Sequence, residues 1–201
     1  MSDKKSNTAF LGVIFPENIQ FFLAFLRSLH NQTIDDFDLV ILNDGVVDLS
    51  KKIAKSTTVP IIEKRVSGTP AAIRKFGIDF LVDRGYENVI FGDTDDCFEA
   101  NRVEELSLLL ELHPFIVNEL TIIDRKGHIL FEDYLSKRID DGTVVDLSMI
   151  REKNFCGLSN TAIKLDLIKD IRFLSRICGW ILVQADRQAY DTRLFSIYRR
   201  T

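Results

Sequence analysis

Residues 88–96 read NVIFGDTDD, an apolar run that ends in glycine and is followed by three carboxylates within four residues. The apolar run, which ends at Phe91, is typical of a short strand that is buried on both faces. Three carboxylates this close repel one another and cost stability unless a cation compensates their charge. The segment therefore predicts a buried strand that delivers Asp93, Asp95 and Asp96 to one edge of a sheet.

Around this segment, strand and helix patterns alternate four times along residues 9–113. Short apolar runs predict strands, and apolar residues at helical spacing predict helices. The predicted strands are Ala9–Phe15, Phe37–Leu42, a third that begins at Pro60–Ile62, and Asn88–Phe91. The predicted helices are one that ends near His30, a short one from Asp48 or Ser50 through Lys55, one from Thr69-Pro70 to about Gly85, and Asn101–His113. This order predicts an α/β fold with a mostly parallel central sheet flanked by helices.

The pattern changes after Pro114. Residues 115–123 and 128–131, joined by the turn DRKG, predict an antiparallel hairpin, and one further strand is expected near Leu158–Ile163. We expect residues 114–201 to form a small mixed α+β part of a single domain that spans residues 1–201.

The composition excludes several classes of protein. The formal net charge is −4 at pH 7, which argues against a protein that tracks nucleic-acid phosphates. The three cysteines, Cys97, Cys156 and Cys178, are scattered and lack a histidine at metal-ligand spacing, so neither a zinc site nor a disulfide framework is indicated. The scattered cysteines fit a reducing cytosol, so we expect a cytoplasmic protein. The apolar runs fall far short of the ~18 residues that suggest a membrane span, so we expect at most peripheral contact at the inner face of a membrane.

Polar clusters follow three of the predicted strands. They are Pro16-Glu17-Asn18 after the first strand, Asn43-Asp44-Gly45 after the second and Asp93-Thr94-Asp95-Asp96 after the fourth. In an open parallel sheet, ligands bind outside the carboxyl ends of the strands, so we expect these clusters to converge. Mg²⁺ is often held by one or two carboxylates together with substrate phosphates, and Asp93 and Asp95 can point to the same side if the chain stays extended past Phe91. The plainer interpretation is that Asp96 caps the next helix while the other two aspartates are solvated loop residues.

Taken together, the clusters resemble the GT-A glycosyltransferases, in particular the large inverting family 2. The segments that carry the resemblance are FPEN (15–18), SLHNQT (28–33), DFD (36–38), NDG (43–45), AIRKFG (72–77) and DTDD (93–96). Their order and spacing are similar to the family's over residues 9–118, and the resemblance weakens through residues 158–168. Two departures are visible. Asn43 stands where the family usually has an aspartate, and the loop after the first strand is one residue short.

The resemblance implies a GT-A fold, in which residues 9–113 bind a nucleotide-sugar and residues 114–201 form the acceptor side. The implied reaction moves a sugar from a nucleotide-diphosphate donor, UDP-linked, to a hydroxyl of a glycan or lipid-linked glycan. The implied stereochemistry is inverting, and Mg²⁺ or Mn²⁺ would neutralise the charge that grows on the diphosphate.

The resemblance also implies roles for individual residues. Asp44 matches the acid that hydrogen-bonds the nucleobase, and Pro16 belongs to the loop that lies against the base. Arg74 matches a basic residue near the nucleotide. Asp93 and Asp95 match the metal and diphosphate motif.

The catalytic base is the least well matched part of the family pattern. The family usually supplies it from a Glu-Asp or Asp-Trp pair in the second half of the domain. The nearest counterpart here is Cys178-Gly179-Trp180, with glycine where the carboxylate would stand. Asp186 and Asp191 are the neighbouring alternatives, and each also fits an ordinary acid on a helix surface.

Two other functions fit parts of the sequence. The missing base is compatible with a module that binds a sugar nucleotide without turnover. Residues 89–98, VIFGDTDDCF, imitate the nucleophile motif of haloacid-dehalogenase-like phosphatases, but Cys97 stands where that motif has Thr or Val, and the segment lies in the middle of the chain.

Overall fold

A computed structural model describes residues 6–53, 60–144, 149, 156–170 and 196–198. The strands are β1 (Thr8–Ile14), β2 (Asp38–Asn43), β3 (Ile61–Arg65), β4 (Asn88–Phe91), β5 (Phe115–Asn118), β6 (Ile122–Ile123), β7 (Ile129–Phe131), β8 (Thr161–Lys164) and β9 (Ser196–Tyr198). The α-helices are α1 (Ile19–His30), α2 (Leu49–Ile53), α3 (Pro70–Asp83) and α4 (Arg102–Leu112). Single 3₁₀ turns occupy Pro16–Asn18, Leu158–Asn160 and Leu165–Leu167.

Within the described residues, the main sheet has the strand order β3-β2-β1-β4-β8-β5-β9. Strands β3, β2, β1 and β4 run parallel, and β8 lies antiparallel between β4 and β5. Strand β5 therefore runs in the same direction as β4, and the carboxyl ends of both meet the amino end of β8 at one edge. The expectation of a mostly parallel sheet flanked by helices is confirmed.

The core lies on both faces of the sheet because the central strands are covered by helices on each side. In β1, Phe10 and Ile14 pack among residues of α1 and α4, whereas Leu11 packs on the opposite face among residues of α3. Strand β2 is buried along its whole length. The nearly continuous apolar sequence of these two strands is what burial on both faces requires.

Helix α3 begins and ends as its sequence predicts. The Thr69 hydroxyl accepts a hydrogen bond from the Ala72 backbone N–H at 3.3 Å, and Pro70 occupies the first turn. At the other end, the Tyr86 N–H donates to the Leu81 carbonyl at 3.1 Å, so the chain leaves the helix before β4 begins.

The predicted strand over residues 115–123 is wrong, because the chain breaks at Glu119. The Glu119 carboxylate accepts hydrogen bonds from the backbone N–H groups of Leu120, Leu135 and Ser136 at 2.8, 2.6 and 2.8 Å. These bonds turn the chain out of the main sheet after β5. The predicted hairpin is present, but it consists of β6 and β7 alone.

Two further expectations from the sequence concern the end of helix α2 and the presence of membrane-spanning helices. Helix α2 ends at Ile53, and the predicted extension to Lys55 lies outside the described residues. In the described part of the chain, no helix has both the length and the apolar character needed to cross a membrane.

Candidate functional site

The loops after β1 and β2 contact each other at the carboxyl edge of the sheet. The Asp44 backbone N–H donates to the Ile14 carbonyl at 3.0 Å, which fixes the second loop to the end of β1. Gly45 has φ +96°, a conformation that favours glycine, and a Cβ built on it would lie 3.6 Å from Pro16 Cγ. The first two predicted clusters are therefore in direct proximity.

Asn43, which stands where the family usually has an aspartate, makes three side-chain hydrogen bonds. Its side-chain oxygen accepts from the Val46 N–H at 2.8 Å, and its amide nitrogen donates to the Val46 carbonyl at 2.9 Å and to Glu63 Oε1 at 2.6 Å. The buried amide thus closes the loop and pairs with an acid on β3. Asp44 is half-buried, and its carboxylate has no hydrogen-bond partner among the described residues.

The three aspartates after β4 lie in a tight turn, so the extended conformation considered above is wrong. The Asp96 N–H donates to the Asp93 carbonyl at 3.1 Å. Thr94 is buried and donates its hydroxyl proton to the Val13 carbonyl at 2.8 Å, which ties the turn to the end of β1. With Thr94 directed inward, Asp93 and Asp95 are left exposed on either side of it.

Asp96 does not cap the following helix. The N-cap of α4 is Asn101, and the Asp96 carboxylate instead accepts a hydrogen bond from the Ser159 hydroxyl. The Ser159 oxygen also accepts from the Asp93 N–H at 3.3 Å. A residue that precedes β8 is therefore bonded to both ends of the acidic turn.

Arg102 lies behind the acidic turn and is buried. One terminal nitrogen donates to the carbonyls of Phe91 and Ser159, both at 2.9 Å, and Nε donates to Asn118 Oδ1 at 3.2 Å. The guanidinium carbon also lies 4.5 Å from the centre of the Phe98 ring. Arg102 thus joins the ends of β4 and β5 to the turn before β8.

Sequence reasoning missed Ser159 and Arg102. Arg102 carries a usable signal, since it falls on the same helical stripe as the buried Leu106 and Leu110. An arginine on an apolar stripe indicates a buried, bonded cation. Ser159 carries no comparable signal in its local sequence.

The electrostatics of the turn reflect its crowded carboxylates. The pKa of Asp93 is raised to about 6, first because surrounding protein atoms withdraw solvent from the carboxyl, although its outer side is exposed, and then because Asp96 and Asp95 repel its charge. Arg74 and Arg102 act in the opposite direction. Burial likewise raises the pKa of Asp96, against the effect of its hydrogen-bond donor.

Arg74 and Asp93 share one shallow pocket. The other residues that line it are Leu11, Val13, Leu42, Phe91 and Gly92. Burial lowers the pKa of Arg74, while the charge of Asp93 raises it, and the Arg74 Nε is buried with no partner among the described residues. Arg74 therefore places a positive charge beside the acidic turn.

The acidic turn fits a divalent cation that takes part of its coordination from a ligand. In the ranges described above, no group of three or more His, Cys, Asp or Glu side chains is arranged to hold a metal by itself. Asp93 and Asp95 offer two carboxylates, which is the usual protein share for Mg²⁺ beside substrate phosphates. Their mutual repulsion is the kind of strain that a cation relieves.

The structure brings Pro16, Asp44, Arg74, Asp93 and Asp95 to one edge of the sheet, and their roles stay predictions. The two candidate bases, Asp186 and Asp191, lie outside the described residues, as does the segment Cys178-Gly179-Trp180.

Two proteins similar to this chain are described as glycosyltransferases. A Rickettsia bellii protein, described as an uncharacterized glycosyltransferase, is 28% identical over 128 residues, which cover 60% of this chain and 18% of that protein. A Bacillus subtilis protein described as glycosyltransferase EpsH is 35% identical over 86 residues, which cover 40% of this chain and 24% of EpsH. The matches therefore span about a fifth to a quarter of the length of these relatives.

Solved structures share the fold. S. aureus TarS 1–349 in complex with UDP-GlcNAc superimposes with a TM-score of 0.62 at 17% identity, over 83% of this chain and 48% of that one. The 4-diphosphocytidyl-2C-methyl-D-erythritol synthase of Anaerococcus prevotii superimposes with a TM-score of 0.52 at 12% identity, over 82% of this chain and 73% of that one. At these identities the likeness concerns the fold alone, and it agrees with the GT-A architecture.

The family model described as Glycosyl transferase family 2 matches residues 13–171, well over half of the chain. The match begins within β1 and includes the acidic turn and Ser159. It favours the glycosyltransferase hypothesis over the phosphatase one. The chain belongs to glycosyl transferase family 2.

Proposed function

We propose that the chain transfers a sugar from a nucleotide-diphosphate donor, UDP-linked, to a hydroxyl of a glycan or lipid-linked glycan, with inversion and with the help of Mg²⁺ or Mn²⁺. The observation that carries the proposal is the convergence of three features on one sheet edge. These are the contact between the loops at Pro16 and Gly45, the Arg74 side chain and the acidic turn.

Each of these features suits a different part of the donor. The half-buried Asp44 carboxylate can accept a hydrogen bond from uracil N3–H, and Pro16 offers an apolar surface beside it. Arg74 lines the pocket beside Asp93, and its guanidinium can donate to the diphosphate. Asp93 and Asp95 would hold the divalent cation, which when bound neutralises the charge that develops on the leaving diphosphate.

The proposed chemistry is a single displacement. The acceptor oxygen attacks the anomeric carbon while the bond from that carbon to the diphosphate oxygen breaks, and a carboxylate removes the hydroxyl proton. Asp186 and Asp191 are our candidates for that carboxylate. The choice of a UDP-linked donor is supported by the fold likeness to TarS, which has been solved with UDP-GlcNAc and with UDP.

The first test is a variant of the acidic turn. Asp95→Asn removes one of the two carboxylates that would hold the cation, so we expect the dissociation constant for UDP in Mn²⁺ to rise roughly tenfold or more. Since Asp95 is exposed, the ligand-free thermal midpoint should stay close to that of the parent. Calorimetric titration of UDP with Mn²⁺ and with EDTA measures the effect.

Asp83→Asn is the matched control, because Asp83 is an exposed acid at the end of α3. It should bind UDP as the parent does. If Asp95→Asn also binds like the parent, the assignment of the metal ligands is wrong.

Turnover separates the enzyme from an inert binding module. We expect slow hydrolysis of UDP-sugar in the absence of acceptor, and a transfer product whose anomeric configuration is opposite to that of the donor. Metal-dependent UDP binding without hydrolysis or transfer would favour the inert module. An absence of stabilisation by UDP, GDP or dTDP would remove both hypotheses.

A further inference from the structure

The acidic turn is held by a serine from a distant part of the chain. The Ser159 oxygen accepts from the Asp93 N–H at 3.3 Å and its hydroxyl donates to Asp96 Oδ2, so one side chain bonds both ends of the turn. Its own carbonyl accepts from Arg102 at 2.9 Å. The turn is therefore held by two hydroxyls. That of Thr94 bonds it to the Val13 carbonyl, and that of Ser159 bonds it to the segment before β8.

The same contacts distinguish the carboxylate of Asp96 from those of Asp93 and Asp95. Asp96 is half-buried, and its carboxylate is occupied by the Ser159 hydroxyl and lies in the field of Arg102. Asp93 and Asp95 are exposed, and the structure gives neither carboxylate a side-chain hydrogen bond within the described ranges. The carboxylate that the protein itself uses is therefore distinct from the two that remain for a ligand.

We propose that Ser159 is a positioning residue for the donor site. It holds Asp96 and the Asp93 amide so that the Asp93 and Asp95 carboxylates, and not that of Asp96, face the cation and diphosphate. This inference rests on the proposed function. It goes further by assigning the geometry of the acidic turn to a residue of the acceptor-side half, next to β8.

The test is Ser159→Ala, which removes both side-chain hydrogen bonds to the turn. We expect the Mn²⁺ concentration that half-saturates UDP binding to rise about tenfold, since a hydrogen bond to a charged group is lost. UDP binding measured in EDTA should change little, because Asp44 and Pro16 do not depend on the turn. Ser159→Thr keeps the hydroxyl and should bring the Mn²⁺ requirement back to near the parent value.

Ser107→Ala is the matched control. The Ser107 hydroxyl is buried in α4 and has no hydrogen-bond partner among the described residues, so the same atom is removed without loss of a bond. We expect this variant to keep the parent's Mn²⁺ requirement.

The outcomes separate the positioning role from its alternatives. If Ser159 were only structural, Ser159→Ala would lower the thermal midpoint but leave the Mn²⁺ requirement of the folded protein unchanged, and the inference would be overturned. A parent that fails to bind UDP in Mn²⁺ would instead contradict the proposed function, and this inference with it. A raised requirement in Ser159→Ala that Ser159→Thr reverses supports the inference.

Discussion

The Asn43 side chain shows how one amide can replace an acid in this site. It is buried and makes three hydrogen bonds, two of them as donor to acceptors on Val46 and Glu63. A carboxylate at this position could not donate either bond, and it would place a second negative charge against Glu63. The amide is therefore matched to the acid on β3 and not merely tolerated.

We expect Asn43→Asp to lower the free energy of unfolding by about 2 kcal/mol. The new carboxylate would face two other acceptors, the Val46 carbonyl and the Glu63 carboxylate, in a buried place. Adding Glu63→Gln should recover part of this loss, since a glutamine amide can donate to the new carboxylate. Urea unfolding of the two single variants, the double variant and the parent gives the coupling between the sites. Equal midpoints for Asn43→Asp and the parent would show that the pairing does not stabilise the protein.

At the scale of residues, the sequence predicts the positions of some residues of the candidate site and not of others. Asp44, Asp93 and Asp95 could be predicted because each closely follows a buried apolar run, and strand direction then places them at one edge. Ser159 could not be predicted, since its partners Asp96 and Arg102 lie 63 and 57 residues away along the chain. Only the placement of β8 between β4 and β5 brings these residues together.

The break after β5 is the clearest feature at the scale of elements. Apolar residues on both sides of Glu119 predict one continuous strand, but its carboxylate binds three backbone N–H groups and turns the chain. Nothing in the sequence around Glu119 indicates that its carboxylate binds backbone N–H groups. The strands themselves could be predicted, because burial on both faces leaves a continuous apolar sequence.

We expect Glu119→Gln to lower the free energy of unfolding at pH 7 by about 1 kcal/mol, a modest value because the carboxylate is partly exposed to water. Burial alone would raise the Glu119 pKa, but hydrogen bonds from Leu135, Leu120 and Ser136 outweigh it and lower the pKa. A lowered folded pKa contributes stability above the unfolded value of about 4.3, and this stability is lost as the pH falls through the folded pKa.

Urea unfolding between pH 7 and pH 3 measures this effect. The difference between parent and Glu119→Gln should be full at pH 7 and shrink below about pH 4.3. Glu111→Gln, at an exposed position of α4, should show no such difference. A difference for Glu119→Gln that stays constant with pH would contradict the role of its charge.

At the scale of the whole molecule, the sheet does not divide where the sequence pattern changes. Strand β8 comes from the second half of the chain but pairs with β4 of the first half, from Asn88↔Lys164 to Ile90↔Ala162. It also pairs with β5, so strands from residues 9–113 and from residues 114–201 share one hydrogen-bonded sheet. Arg102 adds bonds across the same junction. The two halves are therefore expected to unfold together.

We predict a single unfolding transition whose midpoint rises when the site is filled. UDP and Mn²⁺ at about 100 times the dissociation constant should add about 2.7 kcal/mol to the free energy of unfolding. For a chain of this size, that corresponds to an increase of roughly 5–10 °C in the thermal midpoint. With a dissociation constant about tenfold higher, Asp95→Asn should lose about half of the increase.

Because β8 links the halves, the globally exchanging amides of β5 and β8 should gain as much protection from hydrogen exchange as those of β1 and β2. Two separate transitions, or protection confined to β1, β2 and β4, would show that the halves are independent.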